Sequence, residues 1–408
     1  MTKHDVIASK EGADSALFQT GSALEVGTEF LKLGLSSFGG PIAHLGYFHR
    51  EFVERRRWLD EEHFGQLLAL CQFLPGPASS QLGFSIGLVR AGWAGAICAF
   101  IGFTLPSAAL LFVFAAMSDY LAGAWGQSAI HGLKLVAVAV VAQGVLGMAR
   151  TLTPDTPRAL LAATAAGLIA ISGSSWMPLF VVAGGAALGP WLCPQVMARH
   201  GNAFPLRYGP RAGGVLLATF GALLLVALLV APRMSFLGQV AGAFYRTGAL
   251  VFGGGHVVLP LLQHAVVGPG WLDDDTFLAG YGAAQAVPGP MFTLAAFLGE
   301  RLDGAVGAVV SLLTIFLPGL LLVAGALPFW QALSARDGAA RVMAGVNAAV
   351  VGLLAAALYD PVWVSAVLDA KDFAIALVAF TLLVAARWRA LPVVAWCVLA
   401  SLLRSALT

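Results

Sequence analysis

Four stretches of this chain contain no Asp, Glu, Lys or Arg: Gly92–Met117, Ala159–Ala198, Ala212–Pro232 and Gly304–Ala335. A bilayer core needs about 20 apolar residues per spanning helix. Every stretch meets that length, and the second is long enough for two spans, turning at Ser172-Gly173-Ser174-Ser175. Charged residues make up only 11% of the chain, whereas a soluble domain uses about a quarter to coat its surface. Lipid is therefore the expected solvent for the exterior, and no nucleic-acid partner is expected. The first 23 residues are polar and lack an apolar core, so no cleaved signal peptide is expected. The scattered Cys71, Cys98, Cys193 and Cys397 read as packing residues rather than ligands.

A second pattern is laid over the first. Phe38-Gly39-Gly40 returns as Phe252-Gly253-Gly254, and Trp58-Leu59-Asp60 as Trp271-Leu272-Asp273. Gln72 with Pro75-Gly76-Pro77 returns as Gln285 with Pro288-Gly289-Pro290, and Leu105-Pro106 as Leu317-Pro318. The order is kept and the offset drifts only from 214 to 212 residues, so the chain holds one unit written twice. We divide it into a polar tail (1–23), a first repeat (24–150), connecting spans and a polar linker (151–237), a second repeat (238–360) and C-terminal spans (361–408).

In each repeat, Phe-Gly-Gly and Pro-Gly-Pro interrupt apolar stretches. Proline removes a helix hydrogen bond and glycine permits turns that other residues resist. Each stretch thus reads as two half-helices joined at a break, either a discontinuous spanning helix or a re-entrant hairpin. Charge favours the second. The loop after the first break carries Arg50, Arg55, Arg56 and Arg57, while its equivalent carries Asp273, Asp274 and Asp275. Lys and Arg favour the cytoplasmic side, so the two units should sit upside down to each other. Four re-entrant hairpins with about nine full crossings place most arginines inside and the triple Asp outside. Arg233, Arg301, Lys371 and Arg404 are the exceptions. The predicted fold is an all-α polytopic membrane protein with two inverted-topology repeats and broken or re-entrant helices, N-terminus in and C-terminus out.

Half-helices that start inside a membrane present unpaired N–H groups and a positive dipole end. Such ends bind anions without a full positive charge. Those following Pro41, Pro77, Gly255 and Pro290 qualify, with Gly39, Gly40, Gly253 and Gly254 leaving amides accessible. The plain alternative is that these residues only permit packing and kinks; four symmetric occurrences favour function. Lys32 and Arg246 occupy equivalent positions, each six residues before its Phe-Gly-Gly phenylalanine. They either offset a substrate charge or snorkel to the headgroups. Lys134 and Asn347 form another equivalent polar pair, suited to a pathway or to interhelical hydrogen bonding. Gln72 and Gln285 either donate an amide N–H to an oxyanion or cap the broken backbone. His44 and His256 follow the breaks without being equivalents; they are candidates for proton coupling, against a packing role. The Arg55–Arg57 cluster reads as a topology determinant beside anionic lipid, or as a device that concentrates anions at a cytoplasmic mouth. No catalytic constellation, nucleotide-binding motif, cofactor motif or metal-ligand cluster is found, which argues against an enzyme.

Phe30-Leu31-Lys32-Leu33-Gly34 leading to Ser37-Phe38-Gly39-Gly40-Pro41, Arg57-Trp58-Leu59, and Gln72-Phe73-Leu74-Pro75-Gly76-Pro77 resemble the first-domain signature of the chromate ion transporter family. Phe252 to Pro260, Val287-Pro288-Gly289-Pro290 and Gly345-Val346-Asn347-Ala348-Ala349 resemble its second-domain signature. The resemblance is to the long, two-domain form and covers nearly the whole chain. It implies chromate efflux that confers resistance, in a bacterial inner membrane, with no cofactor. Sulfate, the same tetrahedral dianion in shape and charge, is an alternative substrate. Flux of another small anion through a carrier or a channel is a second alternative, and an enzyme acting on anionic lipid head groups a third. A homo-oligomer is left open.

Overall fold

The structure is a computed structural model that describes residues 21–37, 40–118, 124–172, 177–196, 204, 206–251, 258–330, 332, 336–388 and 390–407. Among these, every regular element is helical. The first unit opens with α1 (Ala23–Ser36) and α2 (Gly40–His49). Gly21 at the foot of α1 donates to the Arg90 carbonyl (3.1 Å). Phe30, midway up α1, stacks on Phe52 at 4.9 Å, and Arg56 reaches back to Glu29 at 2.7 Å. The chain therefore ends this segment where it began, so α1–α2 is a re-entrant hairpin that turns between Ser36 and Gly40. The next pair is α3 (Glu61–Phe73) and the first arm of α4 (Ala78–Met117). That arm ends at Arg90, whose guanidinium lies 5.0 Å from the Trp58 ring at the foot of α3. This is a second hairpin from the same side, with Pro75-Gly76-Pro77 at its tip.

The repeated Trp-Leu-Asp now has a physical role. Asp60 caps α3 by accepting from the His63 N–H at 2.7 Å. Asp273 does the same for α11 (Asp274–Ala286), accepting from Thr276 N–H at 2.7 Å. The N–H groups of Trp58 and Leu59 converge on the Phe52 carbonyl, as those of Trp271 and Leu272 do on that of Val266. Burial pushes the Asp273 carboxyl up, but the Thr276 N–H and hydroxyl outweigh it and hold the group below its ordinary range. A depressed carboxylate stabilises above its unfolded pKa and is lost as pH falls through the folded one. We expect Asp273→Ala to lower stability by about 1 kcal/mol at neutral pH. The difference from wild type should shrink below about pH 4, which thermal unfolding across pH in detergent measures.

After Arg90 the chain reverses at Ala91-Gly92, where Gly92 has φ +65°, and residues 93–117 run through to the opposite side. The second unit repeats this with α9 (Phe236–Leu250), α10 (Val258–Val266), α11 and α12 (Leu294–Ala326), reversing at Asp303-Gly304 with φ +58°. Its hairpin feet are joined by Phe236 on Trp271 (5.3 Å) and by Gln263 donating to Asp274 (2.8 Å). The through-running arms fix the relative orientation of the units. Phe114, near the end of α4, stacks on Phe297 of the second unit at 5.7 Å, and Trp330, past the end of α12, meets Phe73 of the first at 6.5 Å. Each arm ends beside the other unit's hairpins, so the two units are inverted, as the charge pattern predicts.

The remaining long helices are α5 (Ala124–Leu152), α6 (Thr156–Ser172), α7 (Met177–Leu192), α8 (Pro210–Leu225), α13 (Asp337–Ala357), α14 (Ala370–Val384) and α15 (Ala390–Leu407). The pair α6–α7 of the first unit's sequence packs on α13, with Gly185 against Gly345. Correspondingly, α14–α15 packs on α5, with Gly132 against Val398. Among the described residues the segments outside the four hairpins are 93–117, α5, α6, α7, α8, 305–326, α13, α14 and α15. Among the described residues five helices are individually long and apolar enough to cross a membrane by length and composition. One side carries the feet of the first unit's hairpins with Arg56, Arg90 and Arg158; the other carries Asp273, Asp275 and Asp369. Arg404, an exception to the charge rule, is paired on the aspartate side with Asp369 (3.1 Å) and Asp372.

Candidate functional site

The hairpin tips of the two units meet in the middle of the bundle. Gly76 N–H donates to the Val251 carbonyl at 2.6 Å, and Gly289 N–H donates to the Ser37 carbonyl at 3.0 Å. Both acceptors directly precede a Phe-Gly-Gly element, so the Pro-Gly-Pro tip of each unit is clasped to the other unit's first break. The repeated Leu-Pro also falls here. A Cβ on Gly76 would lie 2.9 Å from Gly319, the residue after Pro318; one on Gly289 would lie 2.6 Å from the hydroxyl of Ser107, the residue after Pro106. Gly76 and Gly289 have φ of +124° and +107°, where a side chain is strained.

Polar side chains gather around this junction from the first unit. Gln81 donates its amide to the carbonyls of Pro75 (2.9 Å) and Gly319 (3.0 Å), spanning both units. His44 is fully buried; its Nε2 donates to the Ser37 carbonyl (3.1 Å), its Nδ1 lies 3.5 Å from the Ser79 hydroxyl, and its ring sits edge-on to Phe103. Ser79 and Ser80 occupy the first turn of α4, where backbone N–H groups have no helical acceptor. Four buried side-chain oxygens of this neighbourhood have no hydrogen-bond partner among the described residues: Ser37 Oγ, Ser80 Oγ, Gln81 Oε1 and Thr104 Oγ1. Native proteins leave few such atoms unsatisfied, which makes these four candidates for contact with a polar ligand. On the second unit's side, Thr293 spends its hydroxyl on the Pro290 carbonyl at 2.6 Å.

Of the residues singled out in the sequence, Gly40, Pro75, Gly76, Pro77, Pro288, Gly289 and Pro290 lie at the clasped breaks. Gln285 is buried below its tip, its amide directed at Met291 Sδ (3.6 Å). Gly39, Gly253, Gly254, Gly255 and His256 lie outside the described residues. Lys32 and Arg246 are not brought together. Lys32 is 68% exposed on the outward side of α1 and bonds Glu29 at 2.7 Å; Arg246 donates to the Ala227 carbonyl at 2.6 Å, away from the tips. Ser37, Ser79, Ser80, Gln81, Thr104 and Ser107 were not singled out. The run Ser79-Ser80-Gln81, three polar residues opening a charge-free helix immediately after Pro-Gly-Pro, was the available signal.

A cavity lies on each side of the bundle. On the arginine side it measures about 250 Å³ and is lined by Gln72, Phe73, Arg158 and Asn347. On the aspartate side it measures about 450 Å³ and is lined by Phe114, Gln127, Asp273, Asp275 and Arg301. Gln72 and Asn347 thus share one vestibule, and Asp275, which holds Lys134, opens on the other.

Inverted repeats, helices broken where the two units meet and a cavity on either side are the plan of a membrane transporter. The chain belongs to the chromate transporter family, which matches residues 24–190 and again 238–404. Each match runs on through the helix pair that follows, α6–α7 in the first and α14–α15 in the second. A probable chromate transport protein of Synechococcus elongatus is 30% identical over 81% of this chain and 82% of its own length. The chromate transport protein of Cupriavidus metallidurans is 29% identical over 81% of this chain and 80% of its own. An uncharacterized transporter of Methanocaldococcus jannaschii is 25% identical over 82% of this chain and 83% of its own. No solved structure matches.

Proposed function

We propose that this protein carries chromate across the bacterial inner membrane, outward from the cytoplasm, and binds it at the junction of the hairpin tips. The observation that carries this reading is the buried group of Ser37, Ser80, Gln81 and Thr104 oxygens, which have no partner among the described residues, beside the N–H groups that open α4. Hydroxyl donors and a helix N-terminus suit a tetrahedral oxyanion, and no fixed positive charge is needed in the membrane interior. The names of the Synechococcus and Cupriavidus relatives support chromate. The arginine-rich side faces the cytoplasm by the positive-inside tendency, which makes the Gln72–Asn347 vestibule the entry and the larger one the exit. Rocking of one unit against the other breaks one backbone clasp and then the other, exposing the junction to each vestibule in turn. Lys32 and Arg246 act at the periphery in this reading.

The test is flux of labelled chromate and sulfate into proteoliposomes under imposed pH and anion gradients. We expect saturable chromate uptake with counterflow, inhibited by sulfate less than by unlabelled chromate. Non-saturating flux without counterflow would identify a channel, and sulfate uptake without chromate uptake would reassign the substrate.

A further inference from the structure

The aspartate-side vestibule contains an ion pair whose two members have opposite relations to water. Lys134 Nζ lies 2.5 Å from Asp275 Oδ1, and the side chains are 9% and 71% exposed respectively. Lys134 comes from α5 of the first unit and sits one turn beyond Ile130, which lines the cavity; Asp275 comes from the first turn of α11, the foot of the hairpin that ends at Gly289. The pair therefore joins the two units at the mouth of the larger vestibule.

A buried cation requires an anionic partner, because leaving it unpaired costs the full desolvation of the charge. An exposed carboxylate has no such need, since water solvates it nearly as well as the pair does. Asp275 can thus leave at small cost, while Lys134 must be given another anion. A dianion at the same distance offers it about twice the Coulomb attraction of a carboxylate. Among the described residues the opposite vestibule has no such pair: the equivalent of Lys134 there is Asn347, whose buried Oδ1 has no partner among them, and Arg158 is committed to Asp155 through two bonds of 2.8 and 2.6 Å.

We infer that Lys134 is an oxyanion-binding residue of the outer vestibule, masked by Asp275 until the departing dianion displaces that carboxylate. Anion and carboxylate exchange places on one ammonium group, and breaking the Lys134–Asp275 link frees the foot of the second unit's hairpin as the cargo passes. The assignment of this vestibule as the exit rests on the proposed chromate export; the exchange itself does not.

Binding of sodium sulfate to the purified full-length protein in detergent, followed by calorimetry, tests this without requiring transport. Asp275→Asn removes the competitor at an exposed position and should tighten sulfate binding about tenfold, equivalent to about 1.4 kcal/mol. Lys134→Gln should lose that binding, Lys134→Arg should keep most of it, and the Lys134→Gln/Asp275→Asn double variant should behave as Lys134→Gln does. An unchanged affinity in Asp275→Asn overturns the inference, as does an equal gain from Asp275→Asn in the Lys134→Gln background. If sulfate binds in the Lys134-dependent manner but chromate does not cross proteoliposomes, the export reading fails and the exchange stands. If chromate crosses but the four variants bind sulfate as wild type does, the exchange fails alone.

Discussion

Leucine in place of Gly76 or Gly289 is expected to abolish chromate flux while the protein still inserts and purifies. At φ of +124° and +107° any side chain is strained, at a cost of about 1–3 kcal/mol. The space is also taken. A Cβ at Gly76 meets the Gly319 Cα and the Gln81 amide, each at 2.9 Å; one at Gly289 meets Ser107 Oγ at 2.6 Å and the Phe103 carbonyl at 3.3 Å. Overpacking adds about 1–3 kcal/mol. These terms act on the clasps Gly76–Val251 and Gly289–Ser37, so the tips should separate and the junction lose its shape. A combined cost near 3 kcal/mol corresponds to a fall of roughly a hundredfold. Gly46→Leu is the control, since nothing lies within 4 Å of its added Cβ. Uptake normalised to monodisperse protein decides the matter, and near-normal flux with leucine at both tips would reduce these glycines to incidental packing.

The tips were legible in the sequence because proline and glycine constrain the backbone wherever they occur, without reference to partners. The same holds for Trp58-Leu59-Asp60 and its copy, where the cap is local. What the sequence withheld was rotation about each helix axis. Lys32 and Arg246 are equivalent along the chain and equivalently placed in each unit, yet both point away from the junction. A hint was available: Glu29 stands three residues before Lys32, a spacing that places opposite charges on one helix face. Arg246 had no such neighbour, and its partner is a backbone carbonyl of α8's continuation, which sequence spacing cannot reveal.

The helix pairs α6–α7 and α14–α15 show a second limit. Neither pair carries a repeated Pro-Gly or aromatic motif, so the duplication is invisible there to a search for punctuation. In three dimensions the equivalence is plain: Gly185 and Gly345 bring α7 onto the second unit's α13, while Gly132 and Val398 bring α15 onto the first unit's α5. Each unit's peripheral pair is thus packed on the other unit's central helix, and this exchange ties the inverted halves together.

Arg56 carries the second large effect, and its role differs from that expected of a loop arginine. It donates through Nε to Glu51 at 2.6 Å and pairs through Nη2 with Glu29 at 2.7 Å; Glu25 lies at 3.7 Å and the Trp58 ring at 5.6 Å. Glu29 is only 8% exposed, and its remaining partner, Lys32, is 68% exposed. Arg56→Ala therefore leaves a nearly buried carboxylate held by one solvated lysine. Breaking a fully buried pair costs about 3–5 kcal/mol; with Arg56 itself 22% exposed, screening reduces this to about 2–3 kcal/mol. The loss falls on the α1–α2 hairpin, which enters the membrane only part way and depends on its foot to hold Ser37 against Gly289. Detergent-solubilised Arg56→Ala should unfold at markedly lower temperature and transport poorly, whereas Arg55→Ala, 69% exposed, should change stability by less than about 0.5 kcal/mol. A double-mutant cycle with Glu29→Gln should show coupling of at least about 1 kcal/mol. If Arg56→Ala unfolds as wild type does and only its orientation in the membrane changes, the arginine serves topology alone and the hairpin foot is held by Trp58 and Phe52.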